Sequence, residues 1–351
     1  MALRNTKFAQ NDTTEIIQIT QDSSETGSDG RVWRDLNNNI FWIADDFSIG
    51  KKVEDATSED YSSVLSFTDV QNATLCINKD QDIIYCMYEN GSGLHLQPIN
   101  ISDMSSGSSV LITASTIKAY QCIIDNSGKI WYLTDDKYIH RSDIDGSNHS
   151  SVKLTSTSAI FYSFGLTTTY EALLIGGAGA VSTTYFRKVG ISGGVLVITE
   201  SWGDNGLPTY SRAVGTFIVG DYAYFLCNIT IRSTARIIRL NKSTTSSPVD
   251  LLIRDLVADY SISGDSVTLF FTDSVYGYFY ENNETTRRYF WRVTLSDLSC
   301  VRLAVYNLPE SEFKWNTGSD TIQNVETSKE IVQNCDPAGF SLTSGGATGG
   351  V

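Results

Sequence analysis

The sequence is poor in proline, in histidine and in long apolar runs. Its 351 residues include five prolines and three histidines, and charged residues make up only 19%. No apolar run is long enough to span a bilayer as a helix, and the first residues hold no apolar segment of the kind that a Sec signal requires. We therefore expect neither a signal peptide nor membrane insertion, and we favour a virion or similar particle, or the cytoplasm, as the location.

Positive charge is also scarce. Forty acidic residues stand against 26 lysines and arginines, which gives a net charge of −14. Nucleic acids and anionic lipid surfaces bind proteins that carry positive charge. The charge balance therefore argues against nucleic acid as a partner.

Familiar catalytic and metal-binding motifs are missing from the sequence. It contains no H-E-x-x-H, no phosphate-binding loop and no D-x-D-x-D-G calcium loop. We predict no catalytic residue, no bound metal and no cofactor.

Cysteine and histidine give no clear site either. The six cysteines form no C-x-x-C pair and are interpreted as core residues, although Cys76 and Cys86 flank a predicted turn and could face each other across a hairpin. His95 and His140 fall on equivalent predicted strands. A two-histidine metal site is one interpretation, and outward positions on half-exposed strands are the favoured one. His149 lies in a turn and is predicted to be solvated.

The sequence does contain a repeated aromatic segment that ends in a polar residue. The clearest copies are IFWIADD, IWYLTDD and TLFFTDS, at 40–46, 130–136 and 268–274. Asp45 and Asp135 are 90 residues apart and Asp135 and Asp273 are 138 apart, close to two and three multiples of a period of about 45–46 residues. That period predicts further copies in the gaps, and suitable apolar runs are IIYCMYEN, EALLIGGAG and YAYFLCN, at 83–90, 171–179 and 222–228. Six units result.

Each unit is predicted to contain four antiparallel strands. A short turn of Asn, Asp, Gly or Ser precedes the repeated segment, a segment of alternating polarity follows it, and a fourth apolar run ends the unit. A flat row of such sheets would leave long exposed edges, whereas closure into a ring would not. We therefore predict one large all-β ring with 41% hydrophobic residues available for its core.

One stretch has a family likeness. Residues 130–154, IWYLTDDKYIHRSDIDGSNHSSVKL, resemble a YWTD-type propeller repeat, in which an aromatic run ending in Thr-Asp is followed by an Ile-x-Arg segment and an Asp-Gly-Ser turn. DNSGKIWYLTD also resembles NHL-type repeats. The resemblance implies a six-bladed β-propeller of four-stranded antiparallel blades, with seven blades as the alternative. These families share no single activity, so it implies no function.

The predicted organisation has three parts. Residues 1–30 form an N-terminal segment whose strand at 14–20 closes the ring beside C-terminal strands, 31–305 form the propeller repeats, and 306–351 form a C-terminal arm or partial blade. The carboxylates that end the repeated segments are interpreted as turn formers that accept backbone N–H groups; a channel-facing cation site is the alternative.

Aromatic residues give the predicted contact surfaces. An alternating row of tyrosines and two arginines lies in the predicted loop at 276–290, and further aromatics lie in the C-terminal arm. Such residues contribute strongly to protein interfaces. The predicted interface residues are Tyr276, Tyr278, Tyr280, Arg287, Arg288, Phe313, Trp315 and Phe340.

Two function classes are compatible with these observations. The first is a non-catalytic binding or assembly module, a structural component of a virion, tail or other extracellular particle, with other proteins of an assembly or a glycan as partner. The alternative is a glycan-active or lyase-type propeller enzyme whose site residues are scattered over several blades. Convergence of several carboxylates with a Tyr, Arg or His at one mouth of the channel would favour the enzyme.

Overall fold

The chain is nearly all β. A computed structural model describes residues 10–11, 15–16, 19–20, 31–34, 39–43, 49–53, 60–61, 72–78, 80, 82–178, 181–203, 206–209, 211–229, 234–260, 262, 267–272, 275–284 and 287–306. The one helix in these ranges is α1, Leu256–Tyr260. No helix in the described part of the chain is long and apolar enough to cross a membrane.

The strands form six antiparallel sheets in chain order, besides a two-stranded pair of β1 (Gln10–Asn11) and β2 (Glu15–Ile16). The first sheet contains β3 (Ile19–Thr20), β4 (Arg31–Arg34), β5 (Asn39–Ile43), β6 (Ile49–Val53) and β7 (Asp60–Tyr61). The second contains β8 (Asn72–Ile77), β9 (Ile83–Asn90), β10 (Gly93–Asn100) and β11 (Val110–Thr113). The third contains β12 (Ala119–Ile124), β13 (Ile130–Thr134), β14 (Tyr138–Ser142) and β15 (Ser150–Lys153).

The last three sheets follow the same order. The fourth contains β16 (Gly165–Leu166), β17 (Ala172–Ala178), β18 (Val181–Ser192) and β19 (Val195–Gly203). The fifth contains β20 (Ala213–Val219), β21 (Tyr222–Ile229), β22 (Thr234–Asn241) and β23 (Leu252–Asp255). The sixth contains β24 (Val267–Thr272), β25 (Tyr276–Glu284), β26 (Arg287–Thr294) and β27 (Cys300–Tyr306).

The sheets are arranged around a common axis, with the first strand innermost in each four-stranded sheet. Strand β8 lies against β4 on one side and β12 on the other, β20 lies against β16 and β24, and β24 lies against β3 of the first sheet. Apolar clusters fill the gaps between consecutive sheets. This radial packing of four-stranded antiparallel sheets is the β-propeller fold, as the sequence predicts. The number of blades stays a prediction, because 307–351 lie outside the described residues.

The second strands of the second to fifth sheets are buried along nearly all of their described length, which explains the repeated aromatic segment. All five residues of β13 are buried, and Trp131 and Tyr132 have no exposed surface. A strand covered on both faces favours aromatic and β-branched residues throughout rather than alternation. Four of the six predicted copies are second strands of their sheets, and the copy at 40–46 is β5, the third strand of the five-stranded first sheet.

The copy at 268–274 is an exception to this register. It overlaps β24, the first strand of the sixth sheet, and the second strand is β25. The period is longer here because α1 and the connection after it lie between the fifth and sixth sheets. The prediction of a loop at 276–290 is consequently wrong, because this stretch contains β25 and the start of β26, the central pair of the sixth sheet.

Two further expectations differ from the structure. The third strands are more buried than an alternating, half-exposed pattern predicts, as β14 shows, because neighbouring sheets cover both of their faces. The N-terminal strand β3 is hydrogen-bonded to β4 of the first sheet rather than to a C-terminal strand, although it also lies beside β24 of the last sheet.

Candidate functional site

Three side chains from consecutive sheets meet at the inner strand ends, and we call them the inner aromatic cluster. Tyr120 belongs to β12, Tyr162 lies just before β16, and Arg212 immediately precedes β20. The rings of Tyr120 and Tyr162 meet edge to face with centroids 4.8 Å apart, and the Arg212 Cζ atom lies 4.3 Å from the centroid of the Tyr162 ring. The cluster thus joins the third, fourth and fifth sheets.

A β-bulge positions Tyr120. The pairing of β12 with β13 shifts between Ala119 and Gln121, so Tyr120 is the extra residue of its strand. The same shift occurs in β20 between Ala213 and Gly215, one residue after Arg212. Bulges turn side chains out of the regular alternation and are frequent next to functional sites.

Two carboxylates lie near the same inner end, beside Lys118. Glu89 is the last residue but one of β9 in the second sheet and is buried, and Asp135 follows β13 of the third sheet. Desolvation raises the pKa of Glu89; the charge of Lys118 opposes this rise and that of Asp135 adds to it. Desolvation also raises the pKa of Asp135, against a backbone hydrogen bond from Lys118. Perturbed pKa values of this kind are common at functional sites but also occur in structural networks.

Asp135 has a structural role that the sequence predicts. Its Oδ1 atom accepts a hydrogen bond from the backbone N–H of Lys118 at 3.0 Å, and its own N–H donates to the carbonyl of Lys118 at 3.0 Å. These bonds fasten the end of the second strand to the start of the first. The turn-former interpretation is therefore confirmed for Asp135, whereas Asp45 and Asp273 lie outside the described residues.

His140 is buried, which corrects the predicted outward position. It is 7% exposed and its ring stacks on Tyr132, with centroids 4.6 Å apart and planes at 1°. Its Nδ1 atom lies 3.0 Å from Nε2 of His149, and its Nε2 atom lies 3.0 Å from the Thr134 hydroxyl. Burial, assisted by His149 and opposed by Asp136, lowers the pKa of His140 to about 4. His149 is exposed as predicted, but it also contacts His140, and burial lowers its pKa.

His95 occupies the corresponding place in the second sheet. It stacks on Tyr88 with centroids 5.2 Å apart, and its Nε2 atom lies 2.9 Å from the Ser92 hydroxyl. That hydroxyl donates its hydrogen bond to Oδ1 of Asn90 at 2.6 Å, so it accepts a hydrogen bond from Nε2–H of His95. This polarity is the reverse of an activated serine nucleophile.

The histidines and carboxylates do not form a metal site. Within the described ranges, no group of three or more His, Cys, Asp or Glu side chains could hold a metal ion. His95 and His140 have separate partners on different sheets, Tyr88 and Tyr132.

The cysteines in the described ranges are buried and unbridged. Cys76 pairs with Tyr85, and Cys86 pairs with Leu75, across β8 and β9. Because side chains alternate along a strand, the two thiols point to opposite faces of the sheet. The alternative of a cross-hairpin contact between Cys76 and Cys86 is therefore wrong, and the interpretation as core residues is confirmed for the described cysteines. Cys335 lies outside the described residues.

The predicted interface residues are only partly described. Tyr276 begins β25, and the guanidinium of Arg292 on β26 lies 4.6 Å from the centroid of its ring. Tyr278 and Tyr280 lie further along β25, and Arg287 and Arg288 begin β26; their side chains are outside the described residues. Phe313, Trp315 and Phe340 also lie outside the described residues. The structure therefore places the tyrosines and arginines on one hairpin and leaves the arm undescribed.

Apolar side chains are exposed near this hairpin. Val275 is 61% exposed just before β25, and Val301 on β27 is 48% exposed. Val301 is the cross-strand partner of Arg292, which in turn covers Tyr276. We call Val275, Tyr276, Arg292 and Val301 the outer patch of the sixth sheet.

Motif analysis misses the inner aromatic cluster, because its members are 42 and 50 residues apart. A weaker signal exists in the repeat itself. The N–H of Asn228 donates to the carbonyl of Arg212 at 3.0 Å, as Asp135 does to Lys118. Lys118 and Arg212 thus hold equivalent positions, 94 residues or two repeats apart. Alignment of the repeats on the inner strands would have found them.

Solved structures resemble this chain in fold. One is a nidogen/laminin complex, with 9% sequence identity, coverage of 83% of this chain and 93% of that chain, and a TM-score of 0.49. Another is YCF48 bound to a D1 peptide, with 9% identity, coverage of 72% of this chain and 75% of that chain, and a TM-score of 0.47. A third is an oligogalacturonate lyase from Vibrio parahaemolyticus, with 11% identity, coverage of 78% of this chain and 72% of that chain, and a TM-score of 0.45. The likeness is to β-propellers. At these identities it concerns the fold alone. No protein-family model matches the sequence, and no curated protein matches it.

Proposed function

We propose that the chain is a non-catalytic binding and assembly module, a structural component of a virion, tail or other extracellular particle. The observation that carries the proposal is the outer patch of the sixth sheet. Exposed valines flank a tyrosine covered by an arginine, on the hairpin that also carries Tyr278, Tyr280, Arg287 and Arg288. Exposed apolar groups that adjoin Tyr and Arg are typical of protein interfaces.

The arrangement of the histidines supports a structural role. The hydroxyl of Ser92 donates away from His95, and His140 is held between Thr134 and a second imidazole. In the described part of the chain, neither ring faces an activated nucleophile. The C-terminal arm at 306–351 is proposed as a second contact segment on the aromatic content of its sequence, Phe313, Trp315 and Phe340.

A charge on the outer patch tests this proposal. Val301→Glu should abolish recovery of partner proteins in affinity capture from the native source, because the carboxylate would have to be desolvated against an apolar partner surface. Val195→Glu is the matched control, since Val195 is 53% exposed on the fourth sheet, away from the patch. Partners recovered in fixed stoichiometry with wild type and Val195→Glu, and lost with Val301→Glu, are expected. Equal recovery with both variants would remove the outer patch from the proposal.

The alternative is a glycan-active or lyase-type enzyme with its site at the channel mouth. The observation that favours it is the position of Glu89 and Asp135, both with raised pKa values, beside Lys118 near Tyr120. A raised carboxyl pKa suits a general acid or base. Turnover of any member of an oligosaccharide panel by the wild type, lost in Glu89→Gln with folding unchanged, would support the enzyme and contradict the binding module.

A further inference from the structure

Arg212 is a buried cation that has no counter-charge among the described residues. The residue is 8% exposed, and its Nε atom is buried with no hydrogen-bond partner. In the described part of the chain the guanidinium has no ion pair. It lies over the ring of Tyr162 in a cation–π contact. Guanidinium groups stay charged at all ordinary pH values and carry five N–H donors. Burying the Nε donor without an acceptor is costly, and this favours an acceptor from outside the chain.

The equivalent residue two sheets earlier shows what is missing. Lys118 has Asp135 at the end of its own second strand and Glu89 at the end of the strand in the preceding sheet, and both carboxylates interact with it. Around Arg212, the position of Asp135 is taken by Asn228. The preceding second strand, β17, ends in Gly176, Gly177 and Ala178 instead of an acid. The repeat therefore keeps the cation and replaces the carboxylates that neutralise it.

Stacking on tyrosine does not by itself explain the missing partner. Arg239 makes the same kind of contact, with its Cζ atom 4.6 Å from the centroid of the Tyr222 ring. Its Nη1 atom nevertheless donates to the carbonyls of Leu295 and Ser296. An arginine that stacks on a tyrosine in this propeller can therefore find acceptors within the chain. The Nε atoms of both arginines are buried without a partner, so the two differ in their Nη groups, for which Arg212 has no acceptor in the described part of the chain.

We propose that Arg212, Tyr162 and Tyr120 form a binding site for a small organic acid that carries one carboxylate. The guanidinium would take the carboxylate in two parallel hydrogen bonds, a geometry for which its planar fork is suited. The two tyrosine rings would contact the rest of the ligand. A single carboxylate is specified because the chain already carries a charge of −14, which disfavours polyanions. The site lies on the inner ends of the third to fifth sheets and does not depend on the outer patch.

Calorimetric titration of the purified full chain tests the site with defined probes. D-Glucuronate represents a sugar acid, N-acetylglutamate amide represents a peptide acid, and D-glucose is the neutral control. We expect one of the two acids to bind with a Kd in the millimolar range or tighter and D-glucose not to bind. The acid that binds identifies the source of the carboxylate. Binding of neither acid, or equal binding of D-glucose, overturns the proposal.

Arg212→Met and Arg239→Met separate this site from a structural role. Arg212→Met should weaken binding of the acid by roughly tenfold or more, because a charged hydrogen-bonding partner is lost. It should leave the ligand-free Tm unchanged or higher, because an uncompensated buried charge is replaced by an apolar side chain. Arg239→Met should lower the Tm, through loss of its carbonyl contacts, and still bind the acid. A large fall in the ligand-free Tm of Arg212→Met, or unchanged binding, would show that Arg212 is a structural cation.

Discussion

The second and third sheets carry the same pair of side chains at the same place. In each, a tyrosine of the second strand lies directly across from a histidine of the third, Tyr88 from His95 and Tyr132 from His140. Both pairs are stacked, and the angle between the ring planes is 7° for the first pair and 1° for the second. The repeat thus preserves a cross-strand pair, which is the usual unit of stabilisation in a sheet.

The surroundings of the two pairs differ. His140 is buried and bonded to Thr134 and His149, whereas His95 is half-buried and bonded to serine hydroxyls. Burial lowers the pKa of both imidazoles. The same pair is therefore a core element in the third sheet and a surface element in the second.

The turns that precede the second strands show the same contrast. In the third sheet, Asp125 is buried and accepts hydrogen bonds from Ser127, from the N–H of Lys129, from the indole of Trp131 and from Arg141. Burial opposes its ionisation, but these bonds hold the pKa of Asp125 below its usual value. In the second sheet, Asn78 closes the turn with a neutral amide that accepts from the N–H groups of Asp82 and Ile83. One backbone turn is thus stabilised by a buried ion pair and the other by an exposed amide.

Trp131→Ala should have the largest effect in this comparison. Trp131 has no exposed surface, so truncation leaves a cavity, and it also removes a hydrogen bond to Asp125. We expect a loss of about 3–5 kcal/mol in the free energy of unfolding, measured by denaturant titration. Met87→Ala, at the corresponding buried position of β9, should cost less, about 2–3 kcal/mol, because it removes no hydrogen bond. A cost below about 1 kcal/mol for Trp131→Ala would contradict the blade register.

Asp125→Ala should have the next largest effect. It leaves Arg141, whose side chain is 13% exposed, and the Trp131 indole without their acceptor. Removal of one partner of a buried ion pair typically costs about 3–5 kcal/mol, and we expect about 3–4 kcal/mol here. The double variant Asp125→Ala with Arg141→Met should regain part of this loss, since the unpaired charge is gone. No recovery in the double variant would mean that the backbone contacts of Asp125, rather than its ion pair, stabilise the turn.

The sequence predicts the β-propeller fold because the packing of each blade restricts which residues its strands and turns can contain. A second strand covered on both faces must be aromatic and apolar, and the polar turn before it must reverse the chain, so both features recur along the sequence. Residues 125–136 show both features, and Asp135 forms the predicted backbone bonds. The register fails at 268–274 because α1 lengthens the unit by a segment that no strand pattern reveals.

The candidate site is much less predictable. Tyr120, Tyr162 and Arg212 come together only because three inner strands converge on one axis, and neither motif nor spacing links them. The burial of His140 was likewise hidden, because the alternation in its strand indicates an exposed face that the next sheet covers. Contacts between blades, unlike contacts within a blade, leave no local pattern.

His140 and His95 should contribute differently to the loss of stability at low pH. Below about pH 6.5 the unfolded chain takes up a proton on His140, but the folded chain does so only near pH 4, so stability is lost as the pH falls through this window. Each unit of pKa difference corresponds to about 1.4 kcal/mol, so the loss approaches about 3 kcal/mol. His140→Gln should flatten the dependence of the unfolding free energy on pH between 6.5 and 4. His95→Gln should flatten it less, and equal slopes for both variants would contradict the difference in burial.

Asn78→Ala should have the smallest effect and completes the comparison of the two turns. The side chain accepts from two backbone N–H groups and donates to Asp82, and these contacts are largely exposed. Water can replace the lost acceptor at an exposed turn, so we expect a loss of only about 1 kcal/mol. Asn78→Asp should retain most of the stability, since a carboxylate also accepts both N–H groups, apart from repulsion by Asp82. The measurement is denaturant titration beside Asp125→Ala under the same conditions. If Asn78→Ala costs as much as Asp125→Ala, the turns are stabilised by their backbone bonds alone, and the buried ion pair adds nothing to the third sheet.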